Sequence, residues 1–136
     1  MNSNYRDMMQ GRNSKMSCGC GYICTMQDEK IGQFYSTSYC IKLSSHGKAM
    51  ITFDSSQFTL FTISVLNRSQ SKINAHLELS PDGYHFNKDL YNSTQTIEPG
   101  EVRLFPGVIF IRYTAIVLQG NPCAEAAVYV QSQNIG

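Results

Sequence analysis

The sequence predicts an all-β fold, a single β-sandwich of eight or nine strands preceded by an extended N-terminal arm. Three observations support this prediction. Short segments rich in aromatic and β-branched residues recur along the chain, turn-forming residues lie between them, and no segment shows a convincing helical stripe. Jelly-roll and immunoglobulin-like topologies both fit such a series of strands.

The first strands are predicted in residues 31–43, 48–53 and 58–66. The first and third segments are rich in aromatic and β-branched residues, which favour strands. In the second, Ala49, Ile51 and Phe53 fall on one face because side chains alternate along a strand.

Residues 73–79 alternate cleanly, with apolar side chains at every second position. The turn that follows, residues 80–83, has a physical basis. Pro81 fixes its own φ, Asp82 can accept hydrogen bonds from the local backbone, and Gly83 tolerates a positive φ. A hairpin with residues 84–90 is therefore predicted.

The remaining strands are predicted at residues 94–97, 102–105, 108–118 and 124–131. Turn residues or a proline separate each from the next. The inward positions of the whole set predict a core that includes Phe61, Ile63, Val65, Leu77, Leu79, Ile109, Ile111, Val128 and Val130.

The N-terminal segment differs from the rest of the chain. Residues 1–30 contain little periodic hydrophobicity, and three of the five cysteines, Cys18, Cys20 and Cys24, lie within seven residues of one another. We therefore interpret residues 1–30 as a flexible, cysteine-rich connector arm and residues 31–136 as the sandwich domain.

Composition and charge exclude several classes of function. The net charge is +1, with 11 basic and 10 acidic residues, which argues against nucleic-acid binding and against a polybasic membrane anchor. No segment approaches the roughly 20 apolar residues of a membrane-spanning helix. The first ten residues lack the apolar core of a signal peptide, so no cleaved leader is predicted.

The cysteine spacing does not indicate a metal site, a cofactor or an enzyme. Cys18, Cys20 and Cys24 lack the paired C-x2-C spacing of structural zinc sites, and no histidine lies nearby in the sequence. A redox motif of the thioredoxin type requires a helical context that is missing here. The histidines stand in no catalytic motif, and no phosphate-binding loop is present.

The odd number of cysteines instead suggests disulfide bonds between chains. Pairing within one chain leaves at least one thiol over. A disordered arm that carries clustered thiols can lie along the sheet edge of a neighbouring subunit and be fixed there by oxidation. Cys40 and Cys123 in the domain are either small buried apolar residues or the acceptors for the arm thiols.

The chain resembles the endospore appendage (pilus) subunits of spore-forming Firmicutes. The resemblance rests on Cys18, Cys20 and Cys24 in the connector and on residues 80–84, 97–100 and 110–113 of the β-domain. Gly19 separates Cys18 from Cys20, whereas the better-known connectors carry an adjacent Cys-Cys pair. The family resemblance implies a jelly-roll domain whose connector is cross-linked to the domains of preceding subunits in a resistant fibre.

Two functions are therefore expected from different classes. The first is a structural subunit that self-assembles head to tail into a disulfide-stabilised filament on the spore surface, with tip and anchor proteins as candidate further partners. The alternative is a carbohydrate- or receptor-binding sandwich displayed on a spore coat or a phage particle. A binding module should expose aromatic side chains at one loop end, for which Tyr84, Phe86 and Tyr91 are the candidates.

Overall fold

The computed structural model describes the backbone of residues 22–133 and the side chains of residues 26–133. This part of the chain forms ten β-strands and no helix. The prediction of an all-β fold is confirmed. The strands are β1 (Tyr22–Ile31), β2 (Phe34–Lys42), β3 (Lys48–Asp54), β4 (Leu60–Asn67), β5 (Ile73–Ser80), β6 (Asn87–Lys88), β7 (Gln95–Ile97), β8 (Val102–Pro106), β9 (Tyr113–Gln119) and β10 (Glu125–Gln133).

The strands form two antiparallel sheets. Sheet A has the order β1-β2-β10-β4-β8, and in sheet B the order β3-β9-β5 is completed by β6 and β7, which both pair with β5. From β2 to β5, and again from β8 to β10, successive strands alternate between the two sheets. This alternation is typical of a jelly roll, one of the two topologies that the sequence left open.

The core lies between the two sheets and follows the alternation of the strands. Five of the positions predicted to be buried are at most 6% exposed, namely Ile63, Val65, Leu77, Val128 and Val130. Phe61 is partly buried and packs against this core. Leu79, Ile109 and Ile111 are only half-buried, so the predicted core extended too far at these positions.

The long apolar segment 108–118 is a strand only from Tyr113 onward. Before that point the chain crosses from sheet A to sheet B. Gly107 donates its backbone N–H to the carbonyl of Phe61, and a Cβ on Gly107 would lie 2.4 Å from the Phe61 ring. The crossing leaves Phe110 81% exposed. A continuous apolar run therefore predicted a longer strand than the connection between sheets allows.

Strand β1 lies in the segment that the sequence assigned to a flexible arm. Tyr22–Ile31 pairs with β2 along its length, and all its described side chains are exposed. Backbone hydrogen bonds to β2 hold this strand, so it needs no apolar periodicity and gives no such signal in the sequence. The division of the chain into an arm of residues 1–30 and a domain of residues 31–136 stays a prediction.

Each sheet has edges to which no further strand is added among residues 22–133. In sheet A these open edges are β1 and β8. The two ends of the sandwich also differ. At one end of sheet A, Lys42 of β2 is the strand partner of both Tyr22 of β1 and Glu125 of β10. The other end holds the residue pair Ser80 and Tyr113.

Replacing Leu77 by Ala should lower the free energy of unfolding by about 2–5 kcal/mol, because the side chain is fully buried and its loss leaves a cavity. Urea denaturation monitored by circular dichroism measures the change. Leu104→Ala serves as the control, since Leu104 is 58% exposed and should change stability by less than about 1 kcal/mol. Equal losses in the two variants would show that β5 is not buried as described.

Candidate functional site

The first candidate site is the end of sheet A at which β1 begins, which we call the thiol end. Its described cysteine positions are Cys24, Cys40 and Cys123. Tyr22 pairs with Lys42, and the register then shifts between Ile23 and Thr25, so Cys24 lies in a bulge. A bulge leaves one residue without a direct partner in the neighbouring strand.

Cys40 lies in β2 beside this bulge. It pairs with Thr25 of β1 on one side and with Ala127 of β10 on the other. Its side chain is half-buried and is on the outer face of sheet A, because the next residue, Ile41, points into the core. The Cys40 Sγ lies 3.9 Å from Glu125 Oε2.

Cys123 lies in the turn between β9 and β10 and has a positive φ of 64°. Its backbone N–H donates to the Ser44 carbonyl at 3.3 Å, and the following Ala124 carbonyl accepts the N–H of Leu43 at 2.8 Å. These bonds fix the turn against the end of β2. A left-handed conformation is uncommon for a residue other than glycine and occurs more often at functional positions.

The structure therefore brings three of the five predicted disulfide positions to one end of the sheet. Cys24 itself pairs with no residue of β2, and the next residue, Thr25, pairs with Cys40. The backbone of Cys24 adjoins that of Cys40 in this register. Cys18 and Cys20 lie outside the described residues, as does the side chain of Cys24.

The opposite end of the sandwich, which we call the loop end, exposes large apolar side chains on the connecting segments 81–86, 89–94 and 107–112. Tyr84 is 86% exposed, Tyr91 71% and Phe110 81%. Segment 89–94 contacts the end of β8, since Asn92 Nδ2 donates to the Pro106 carbonyl at 2.9 Å. Of the three aromatic residues that the sequence offered for a binding surface, Tyr84 and Tyr91 are exposed and Phe86 is half-buried.

Asp82 organises the turn at the loop end. Its Oδ1 accepts the backbone N–H groups of Tyr84 and His85 at 2.8 and 2.9 Å, and its Oδ2 lies 2.6 Å from His85 Nδ1. The backbone N–H of His85, then that of Tyr84, and then the imidazole hold the pKa of Asp82 well below its usual range. Gly83 has a φ of 85°, which confirms the predicted turn conformation. The predicted return strand 84–90 is much shorter, since only Asn87 and Lys88 pair with β5.

A third feature, which no sequence pattern indicated, is a cleft of about 390 Å³ between the two sheets. Tyr35, Thr37 and Tyr39 of β2 form one wall, and Phe53 and Phe58 face them. Period-two alternation places these β2 residues on the inner face but cannot show that they remain partly uncovered. Burial, followed by the charge of nearby Asp28, raises the pKa of Tyr39.

Within residues 26–133, no three His, Cys, Asp or Glu side chains are grouped so that they could hold a metal ion. The three histidines are also dispersed. His46 is exposed, His76 contacts Glu78 at 2.9 Å, and His85 contacts Asp82. In the described part of the chain, no helix has the length and apolar character needed to cross a membrane.

Comparison with known proteins identified one family. Residues 54–134 match the family model described as a domain of unknown function, DUF6385. This range covers more than half of the chain and includes the loop end, Cys123 and strands β4 to β10. A search of curated proteins found no match.

Several solved structures are similar to this chain at low identity. A Bacillus endospore appendage, from a family of disulfide-linked pili, is 14% identical with a TM-score of 0.47, over 92% of this chain and 100% of that chain. The Schizosaccharomyces pombe Cnp3 cupin domain is 10% identical with a TM-score of 0.43, over 81% and 59%. The PBSX exported protein XepA is 14% identical with a TM-score of 0.45, over 88% and 38%. The chain thus spans less than two thirds of the Cnp3 and XepA chains.

Replacing Asp82 by Asn should destabilise the domain at neutral pH, because the charge that the turn stabilises is lost. A carboxyl whose pKa is lowered on folding contributes stability above its unfolded pKa of about 3.9. That contribution is lost as the pH falls through the folded value. The difference between wild type and Asp82→Asn should therefore narrow below about pH 4 in urea denaturation. A difference that stays constant down to about pH 2 would contradict this account of the turn.

Proposed function

This chain belongs to the DUF6385 family, a family of domains of unknown function. Because the family assigns no function, we propose one from the geometry of the domain itself. The protein is a non-enzymatic structural subunit that self-assembles head to tail into a disulfide-stabilised filament. The observation that carries this proposal is that the cysteine-bearing segment leads directly into the edge strand β1 at the thiol end. The resemblance of that segment to endospore appendage connectors supports a location on the spore surface.

The open edge of β8 is the surface on which we place the arm of a neighbouring subunit. An edge strand carries backbone N–H and C=O groups that can pair with another chain. On β8, Val102 is 49% exposed and Leu104 is 58% exposed. An added strand would gain backbone hydrogen bonds along its length and apolar contacts with these two side chains.

The positions of arm and acceptor favour an open filament over a closed dimer. The arm precedes β1 on one edge of sheet A, and β8 forms the opposite edge. A contact between two different surfaces is heterologous and continues from copy to copy unless its rotation closes a ring. Ten extended residues span at most about 33–36 Å, so residues 1–21 are long enough to reach across a neighbouring domain of ordinary size.

Disulfides then make the noncovalent contact permanent. With five cysteines, pairing inside one chain leaves at least one thiol that can bond to a second chain. We assign the intermolecular role to Cys18, Cys20 and Cys24, with Cys40 as the candidate partner in a neighbouring domain, since Cys123 is already disulfide-bonded. Strand addition comes first, because it raises the local concentration of the thiols before they are oxidised. A subunit made in a reducing compartment would therefore be cross-linked late.

The second candidate function is a displayed binding module. The observation that favours it is the exposure of two large aromatic side chains, Tyr84 and Tyr91, on connecting segments, since exposed apolar surface can mark an interaction site. Negative-stain microscopy of the purified protein, with and without reductant, separates the two functions. Fibres under oxidising conditions support the structural subunit, and uniform single particles support the binding module.

Replacing Cys18, Cys20 and Cys24 together by Ser should leave the domain folded but remove the resistance of its assemblies to boiling in detergent. The domain stays folded because its core lies between sheets A and B. The resistance is lost because only weak noncovalent association remains. Circular dichroism checks the fold, and gel electrophoresis without reductant measures the surviving oligomers.

A matched control changes the same segment without touching its thiols. The double variant Ser17→Ala and Thr25→Ala should assemble like the wild type and resist boiling equally. The assignment of these cysteines to intermolecular disulfides is wrong if oxidised wild-type fibres run only as monomer on a gel without reductant. It is equally wrong if fibres of the triple-Ser variant survive boiling as the wild type does.

A further inference from the structure

We propose that the cleft between the two sheets binds a neutral saccharide of one or two sugar rings. This binding activity is independent of filament assembly, because it uses the interior wall of β2 and none of the cysteines. The cleft has a volume of about 390 Å³, within the range of small-molecule pockets, roughly 300–1,000 Å³.

The cleft exists because sheet A is wider than the surface that sheet B covers. Strand β1 continues sheet A beyond β2, and all of its side chains from Met26 to Ile31 are exposed. The inner face of β2 is therefore only partly covered by Phe53 of β3 and by Phe58 of the following loop. A pocket that is open at the edge of the sandwich allows a ligand to enter without unfolding the core.

Aromatic rings form the apolar walls of the cleft. Phe53 and Phe58 lie 6.4 Å apart between ring centroids, and Phe61 packs against both at 6.1 and 5.7 Å. The rings of Tyr35 and Tyr39 lie on the opposite wall. Aromatic faces carry partial negative charge and attract the weakly positive C–H groups that cover one face of a pyranose ring.

Hydroxyl and amide groups interrupt the aromatic walls. Thr37 Oγ1 donates to Asp28 Oδ1 at 2.8 Å, and Gln57 and Ser132 also line the cleft. The Tyr39 hydroxyl is protonated at neutral pH, as a tyrosine ordinarily is, and can therefore donate. These groups match a ligand that carries several hydroxyls, each of which both donates and accepts.

The charges around the cleft favour a neutral ligand. The described side chains that line it are aromatic, hydroxyl, amide or aliphatic. At its rim, Asp28 carries a negative charge and Lys30, whose Nζ lies 5.3 Å from the Tyr35 ring centroid, carries a positive one. A phosphate or other anion would need a cluster of basic groups. A purely apolar ligand would make no use of the hydroxyl groups of Tyr35, Tyr39 and Ser132 that line the cleft.

The test is a titration of the ¹⁵N-labelled full chain with glucose, N-acetylglucosamine, cellobiose and chitobiose, each up to high millimolar concentration and followed by NMR. We expect saturable shifts at the backbone amides of residues 35–39 and 53–58 with at least one of these sugars. The Tyr39→Phe variant removes one hydroxyl without changing the volume of the ring and should weaken that binding by about fivefold to tenfold. Gln57→Ala provides a second, exposed position and should also weaken it.

The matched control is Tyr84→Phe, the same change on an exposed tyrosine at the loop end. This variant should bind the sugar as the wild type does. Absence of saturable shifts with all four sugars would overturn the proposal. Shifts that cluster at residues 81–86 and disappear in Tyr84→Phe would also overturn it, because they would assign the sugar to the loop end. Neither result bears on filament assembly.

Discussion

Strand β10 is the element on which the rest of the domain depends, because it lies in the centre of sheet A and joins the two halves of the chain. It pairs with β2 along nine residue pairs and with β4 along eight. Its inner side chains, Ala126, Val128 and Val130, lie in the core. Sheet A is therefore complete only when β10, the last strand, lies between β2 and β4.

Two of the three candidate sites, the thiol end and the cleft, take their geometry from this strand. At the thiol end, β10 follows directly from the turn that holds Cys123, and Ala127 pairs with Cys40. At the other end, Val130 and Ser132 line the cleft. The position of one strand thus determines where two cysteines lie relative to the edge of the sheet and which residues close the base of the cleft.

Sequence patterns predicted those elements whose stability arises from local chemistry or one-sided burial. The alternation in residues 73–79 and the turn at Gly83 were of this kind, and both are confirmed. Strand β1 was missed because it is exposed on both faces and is held by backbone pairing, which depends on no particular side chains. Residues 108–112 were assigned to a strand because a continuous apolar run does not reveal a crossing between sheets.

The site residues were predictable to different degrees for the same reason. Cysteine spacing and count indicated Cys18, Cys20, Cys24, Cys40 and Cys123 before any fold was known. The position of Cys24 in a bulge beside the pair formed by Thr25 and Cys40 depends on the strand register, which no local pattern specifies. The cleft depends on the relative width of two sheets, which is a property of the whole topology.

The most direct test of filament assembly is a mass-spectrometric map of disulfides in fibres grown from an equal mixture of ¹⁴N- and ¹⁵N-labelled subunits. Lys15 and Lys30 flank the three arm cysteines, so trypsin releases them on one peptide, separate from those of Cys40 and Cys123. If the disulfides join different chains, some linked peptide pairs will combine one ¹⁴N-labelled and one ¹⁵N-labelled peptide. Linked peptides of uniform label only would contradict the proposal, since every disulfide would then lie within a single chain.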